Sequence, residues 1–178
     1  MGTLSKADFY YGALLSELIS SGFCPAIFEQ GETRRIYSFE NDHGDYQIFA
    51  KYSSKPSPSQ RKDIQVWHFS FSTDELQKIR TYEDGKKKHY FALICGRSEL
   101  KGSELALLSL EDVKDCLGMD YPSCAYRITI KFERGKKGLG AYGTGRADKD
   151  IDGRNNMRKV SRDLTSFFQE DKSLISVT

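Results

Sequence analysis

Histidine, proline and cysteine are scarce in this 178-residue chain, with 3, 4 and 4 residues. His43, His68 and His89 lie far apart and no H-E-x-x-H occurs, so a helical two-histidine zinc site is excluded. Cys24, Cys95, Cys116 and Cys124 stand 71, 21 and 8 residues apart with no C-x-x-C, which fits no zinc knuckle or ribbon. Cys95, inside FALIC, reads as a small buried hydrophobe. The chain contains neither G-x-x-x-x-G-K-[ST] nor G-x-S-x-G, which removes a P-loop and a nucleophile elbow. No apolar run approaches the roughly 20 residues that span a bilayer. The opening MGTLSKADFYYGALLSELIS carries an acid inside its apolar stretch and no small-residue cleavage site, so it does not read as a secretory signal. Lys6 stands where a myristoylation pattern needs Ser or Thr. The expectation is a cytoplasmic protein without disulfides and without a membrane partner.

Aromatics are plentiful: 11 Phe, 10 Tyr and one Trp make 12% of the chain, which excludes a disordered polymer. Length and composition predict a single domain over 1–178. Net charge is only +2, but it is segregated. Residues 125–162 hold 11 Lys/Arg against 4 Asp/Glu, while the remainder holds 16 basic and 21 acidic residues. Such a local excess suits a polyanionic partner, and equally a solvated charged surface.

Fourfold spacing of Tyr10, Leu14 and Leu18, with Ser5 and Asp8 at the start and Gly22 at the end, predicts a helix over 5–21. AIFEQ, RRIYSFE and DYQIFAKYS follow as strands joined by hairpin-length turns, the second turn built from Asn41, Asp42, His43 and Gly44. KPSPSQRKD is a polar loop. IQVWHFSFS is a strand with apolar residues on both faces, expected to be covered on both. Ser72 and Glu75 form a capping box for the next helix, and HYFALICG is a buried strand. ELALLSL, a short helix capped by Ser109 and closed by Gly118, a glycine-rich hairpin, and a last helix from Gly153 complete the order. This is α+β, a mixed sheet flanked by helices, with a nuclease-like order over 5–118 and a basic hairpin plus helix over 125–168.

Gly138-Leu139-Gly140-Ala141-Tyr142-Gly143 matches G-x-G-x-x-G, but GTGRADKD after it is no helix start, so a hairpin is expected rather than a dinucleotide site. Its glycines let backbone amides approach a phosphate. His43 with Asp42 and Asp45 is either an acid–base or metal cluster or a conformational turn.

The order helix, three strands, helix, strand, together with Glu40 and Lys51, resembles the restriction-endonuclease-like (PD-(D/E)XK) superfamily, in particular small bacterial and phage-type proteins. The resemblance spans about 5–145 and implies Mg²⁺ held by carboxylates near a scissile phosphate, with a lysine positioning the water. It implies Glu40, Asp45 and Lys51 as catalytic residues, with Glu40 and Asp45 on the metal. Lys51 matches the lysine of the E-x-K triplet, while Phe49 stands where the triplet has its glutamate. Asp45, Glu29 or Glu17 would then supply the missing acid, or catalysis is lost and Lys51 snorkels beside a core Phe49.

Two functions follow. One is nucleic-acid binding, DNA or RNA, with or without Mg²⁺-dependent cleavage, through Lys55, Arg61, Lys62, Lys136, Lys137, Arg146, Arg158 and Lys159. The other is a protein partner or a homodimer, in an adaptor or inhibitor of the kind that antagonises host defence. An exposed apolar patch would favour it.

Overall fold

The computed structural model describes residues 2–120, 123, 125–149 and 157–173. Helix α1 (Lys6–Ser20) starts where Ser5 and Asp8 cap each other: the Ser5 amide donates to Asp8 Oδ2 (2.8 Å), and the Asp8 amide to Ser5 Oγ (3.3 Å). Its Ala7, Tyr10, Tyr11, Leu14 and Leu18 are buried, a single stripe at helical period. Strands β1 (Ala26–Gln30), β2 (Arg35–Asn41) and β3 (Gly44–Ser53) form two successive hairpins. Asn41 Oδ1 accepts from the His43 amide (2.8 Å) across the tight turn between β2 and β3. Strand β4 (Ile64–Phe71) leads into α2 (Thr73–Thr81), then β5 (Lys88–Cys95), β6 (Glu104–Ser109) and α3 (Leu110–Leu117). Strands β7 (Tyr126–Glu133), β8 (Leu139–Gly143) and β9 (Arg158–Val160) and helix α4 (Leu164–Ser173) follow.

The protein is α+β, and its strands divide between two sheets. The first runs β1-β2-β3-β5-β6, antiparallel except where β3 lies parallel to β5 across the β4–α2 crossover. The second, β4-β7-β8-β9, is antiparallel throughout. Period-two alternation on β3 and β5 makes two cores. Tyr46, Ile48 and Ala50 with Tyr90, Ala92 and Ile94 meet α1 and α4 through Leu14, Leu18 and Phe168. Phe49, Phe91, Leu93 and Cys95 face the second sheet, where Trp67, Phe69, Phe71, Ile128 and Ile130 point inward. Helices α2 and α3 add Leu76, Ile79, Val113 and Cys116 to that inner core. Trp67 is fully buried, and its Nε1 donates to the Gly96 carbonyl at 2.8 Å.

Two expectations are corrected. Strand β4 is covered on one face: Trp67, Phe69 and Phe71 are buried, whereas Ile64, Val66 and His68 are half-exposed and Ser70 is exposed. Residues 158–160 form an edge strand rather than a helical turn, because Val160 gains a ladder partner and burial opposite Leu139. Helix α4 begins later, where Asp163 Oδ1 accepts from the Thr165 amide (2.8 Å). Gly153, the expected start of that helix, and Cys124 lie outside the described residues.

Candidate functional site

Antiparallel pairing sets Glu40 and Asp45 directly opposite each other on β2 and β3, both exposed beside the hairpin turn that carries His43. Lys51 shares their sheet face but lies six residues further along β3, about 20 Å away at the rise of an extended strand. These three residues therefore do not meet. Glu17 is exposed on α1, across the sheet from Lys51. Phe49 is 1% exposed, with its ring 5.3 Å from that of Phe91 and 6.3 Å from that of Phe71, as a core residue should be.

Lys51 has a partner that the strand pattern does not reveal. Its Nζ donates to both carboxylate oxygens of Glu75, at 2.7 and 3.0 Å, and lies 5.3 Å from the Phe71 ring centre. Lys51 is 8% exposed and Glu75 3%. Glu75 Oε2 also accepts the Ser72 amide (3.1 Å), so the capping carboxylate of α2 doubles as the counter-ion of Lys51. Arg34 extends the cluster, reaching Glu29 (2.6 Å), Asp74 (3.5 Å) and Glu75 (3.8 Å), and Lys78 closes it on Glu29 (2.9 Å). Burial raises the Glu29 carboxyl, but hydrogen bonds from Lys78 and Arg34 outweigh it and hold the group below its ordinary value. Lys51, Arg34 and Lys78 balance Glu29, Asp74 and Glu75. The network joins β1, β3 and α2, with Lys51 and Glu75 buried at its centre and Asp74 at its exposed edge. Among the described residues, no group of three His, Cys, Asp or Glu side chains is placed to hold a metal ion.

Two of the thiols are enclosed, while Cys24 is exposed. Cys95 and Cys116 are buried, and burial pushes Cys116 up to about 12 and Cys95 upward as well.

The open surface lies on the far side of the second sheet. Its outward residues are Ile64, Val66, His68 and Ser70 on β4; Arg127, Thr129, Lys131 and Glu133 on β7; Gly140 and Tyr142 on β8; and Lys159 on β9. Neither core cluster takes a residue from this face. Beside it the β7–β8 turn contributes Lys136 and Lys137, which with Lys131, Arg158 and Lys159 line a pocket of about 130 Å³ floored by Gly138 and Gly140. Glu133 ion-pairs with Lys136 (2.9 Å) and Lys131 (3.7 Å). Lys137 and Lys159 are exposed.

The eight basic residues expected at an interface therefore part company. Lys136, Lys137 and Lys159 converge on this pocket. Arg158 borders it but is tied to Asp112 (2.7 Å) and Asp115 (3.0 Å) of α3, and Arg146 is tied to Asp115. Arg61 pairs with Asp63 (2.8 Å) next to the Glu133 end of β7, with Lys62 exposed beside it. Lys55 is elsewhere, in a pocket with Lys6, Phe9, Tyr10 and Leu100. Arg127, Lys131 and Tyr142 are additions from the structure. The alternation in YRITIKFE, with Arg127, Thr129 and Lys131 between Tyr126, Ile128 and Ile130, is the sequence signal that places them on one face.

Fold and site together define an α+β protein with a balanced charge network around buried Lys51 and Glu75 and a second-sheet face that carries Arg127, Lys131 and Lys159. No family model, no curated protein and no solved structure matches the chain. No helix among the described residues is long and apolar enough to cross a membrane.

Proposed function

We propose that this protein is a cytoplasmic nucleic-acid-binding protein on a restriction-endonuclease-like scaffold, and that its Lys51 serves the fold rather than phosphodiester cleavage. The observation that carries the reading is the outward face of the second sheet, where Arg127 and Lys159 are exposed and half-buried Lys131 lies beside exposed Lys136 and Lys137. Arg127, Lys137 and Lys159 are what a phosphate backbone needs, since they are exposed cations outside both cores, while Lys131 and Lys136 share Glu133. The saturation of the Lys51 ammonium by Glu75 speaks against a role for that lysine at a scissile phosphate.

The test is a fluorescence-anisotropy titration of the full chain against labelled DNA and RNA at 50 and 200 mM salt, with and without Mg²⁺. Neutralising about four phosphates implies affinity that falls roughly 50-fold for a single strand to 150-fold for a duplex between the two salts. K131E/K159E should abolish most of the binding, while K62E, further along the surface, should weaken it less. Absence of binding to every nucleic acid at 50 mM salt overturns the reading. Cleavage in Mg²⁺ that K51M abolishes would make the protein a nuclease instead. A protein partner has its own observation: Phe9 and Leu100 are 54% and 50% exposed and line one pocket of about 310 Å³ with Tyr10 and Lys55. Loss of partner capture on F9S/L100S, with no nucleic acid bound, would select that reading.

A further inference from the structure

We infer that the ligand of the second sheet is a single strand, whose bases stack on Tyr142 and His68 while its phosphates meet Arg127 on one side and Lys131 and Lys159 on the other. The inference rests on the nucleic-acid reading above and names the form the ligand takes. The register puts His68, Thr129 and Tyr142 in one row across β4, β7 and β8, so the two ring-bearing residues flank β7 with their backbones roughly 10 Å apart. Thr129 between them is 3% exposed and too short to rise above the rings. Two residues along β7 in either direction, about 7 Å, stand Arg127 and Lys131. Lys159 lies across Gly140 from Lys131, and the Met157 side chain packs over that glycine between the two cations. The face is thus a row of His68, Thr129 and Tyr142 with Arg127 on one side and Lys131 and Lys159 on the other.

His68 is built as a ring rather than as a charge. Its Nδ1 is 2.9 Å from Thr129 Oγ1, and burial, aided by the Arg127 charge, lowers its proton affinity below the ordinary value. His68 is half-exposed, and its lowered proton affinity favours the neutral ring. A duplex cannot use such a row, because its bases are stacked inside and only its phosphates reach a flat sheet. A single strand can lay unpaired bases on the rings, and stacking tolerates any base sequence.

The experiment compares labelled dT15, U15 and a 15-base-pair duplex on the full chain and on Tyr142→Ala, Tyr142→Leu and K131A/K159A, with circular dichroism and thermal melts to establish that each variant is folded. Tighter binding of the single strands than of the duplex is expected, with a roughly tenfold loss for both Tyr142 variants and an unchanged salt slope. K131A/K159A should instead flatten the slope by one to two units of log K per log salt. If duplex binds as tightly as single strand, and folded Tyr142 variants bind normally while K131A/K159A does not, the stacking inference is overturned and the nucleic-acid reading stands. If no nucleic acid binds at 50 mM salt, both fall.

Discussion

Replacing Lys51 by Met separates a structural lysine from a catalytic one. Lys51 and Glu75 are almost fully enclosed, and the ammonium contacts both carboxylate oxygens. Removing the cation leaves Glu75 buried with only the Ser72 amide and Arg34, 3.8 Å from Oε1, to compensate. Breaking a buried pair costs about 3–5 kcal/mol, and the two remaining partners place K51M at the lower end, about 3 kcal/mol. For a chain of this size, that is a fall in Tm of about 6–12 °C. Urea unfolding followed by circular dichroism reads the first quantity, and thermal melts read the second. K51M/E75Q should recover most of the loss, because a neutral amide no longer needs the ammonium and still accepts the Ser72 amide. A K51M protein within about 1 kcal/mol of wild type would refute the reasoning, since that is the worth of an exposed pair. Nucleic-acid affinity measured well below the melting range should be unchanged in K51M.

Acid should weaken the fold in a window set by histidine. His89 stacks on Tyr82 with ring centres 3.7 Å apart, and burial, followed by the Lys87 charge, lowers it from 6.5 to about 4. The unfolded chain then takes the proton more readily, so this contribution is complete above pH 6.5 and is lost as pH falls through 6.5 towards 4. His68, also lowered, acts in the same direction. Thermal melts between pH 7.5 and 4.5 should show Tm falling, and His89→Phe, which keeps the stack, should remove most of the slope. An H89F protein with the wild-type slope would place the titrating group elsewhere. Asp8, held at about 2 by hydrogen bonds from Ser5 and Arg35, acts only below pH 3.8 and does not enter this window. Two glycines should respond with opposite signs. A Cβ at Gly96 would stand 2.6 Å from Tyr10 Oη and 2.7 Å from the Ser53 carbonyl, so G96A should cost about 1–3 kcal/mol. Gly12 sits exposed within α1 with open space around its Cα, so G12A should gain about 0.5–1 kcal/mol. Urea midpoints moving the same way for both would contradict the packing described.

Much of the architecture is legible where one signal dominates locally. The Ser5–Asp8, Ser72–Glu75 and Ser109–Asp112 pairs each cap a helix, and Gly118 closes α3 in the left-handed region. These are contacts over three residues, and the sequence shows both partners at once. The hairpins β1–β2 and β2–β3 are equally local. The site is less legible. Glu75 is visible as a cap, but its bond to Lys51 spans 24 residues and follows from how α2 lies over the inner face of β3. Glu40 and Lys51 look close in a motif, yet an extended strand holds six residues' travel between Asp45 and Lys51.

By itself, then, the sequence determines the α+β class, the ends of α1, α2 and α3, the hairpins and the concentration of positive charge beyond residue 125. Each depends on neighbours in the chain or on composition. Tertiary structure alone decides how that charge is used. Arg146 and Arg158 are spent on Asp115, while Lys137 and Lys159 remain in the open. It also decides that the strands form two sheets, which turns Trp67, Phe69, Ile128 and Ile130 inward and puts Arg127 and Lys131 on the opposite face. Those outcomes turn on the pairing of β4 with β7, more than fifty residues apart. Register across such a distance is set by which faces can be buried together, and no local pattern carries that information.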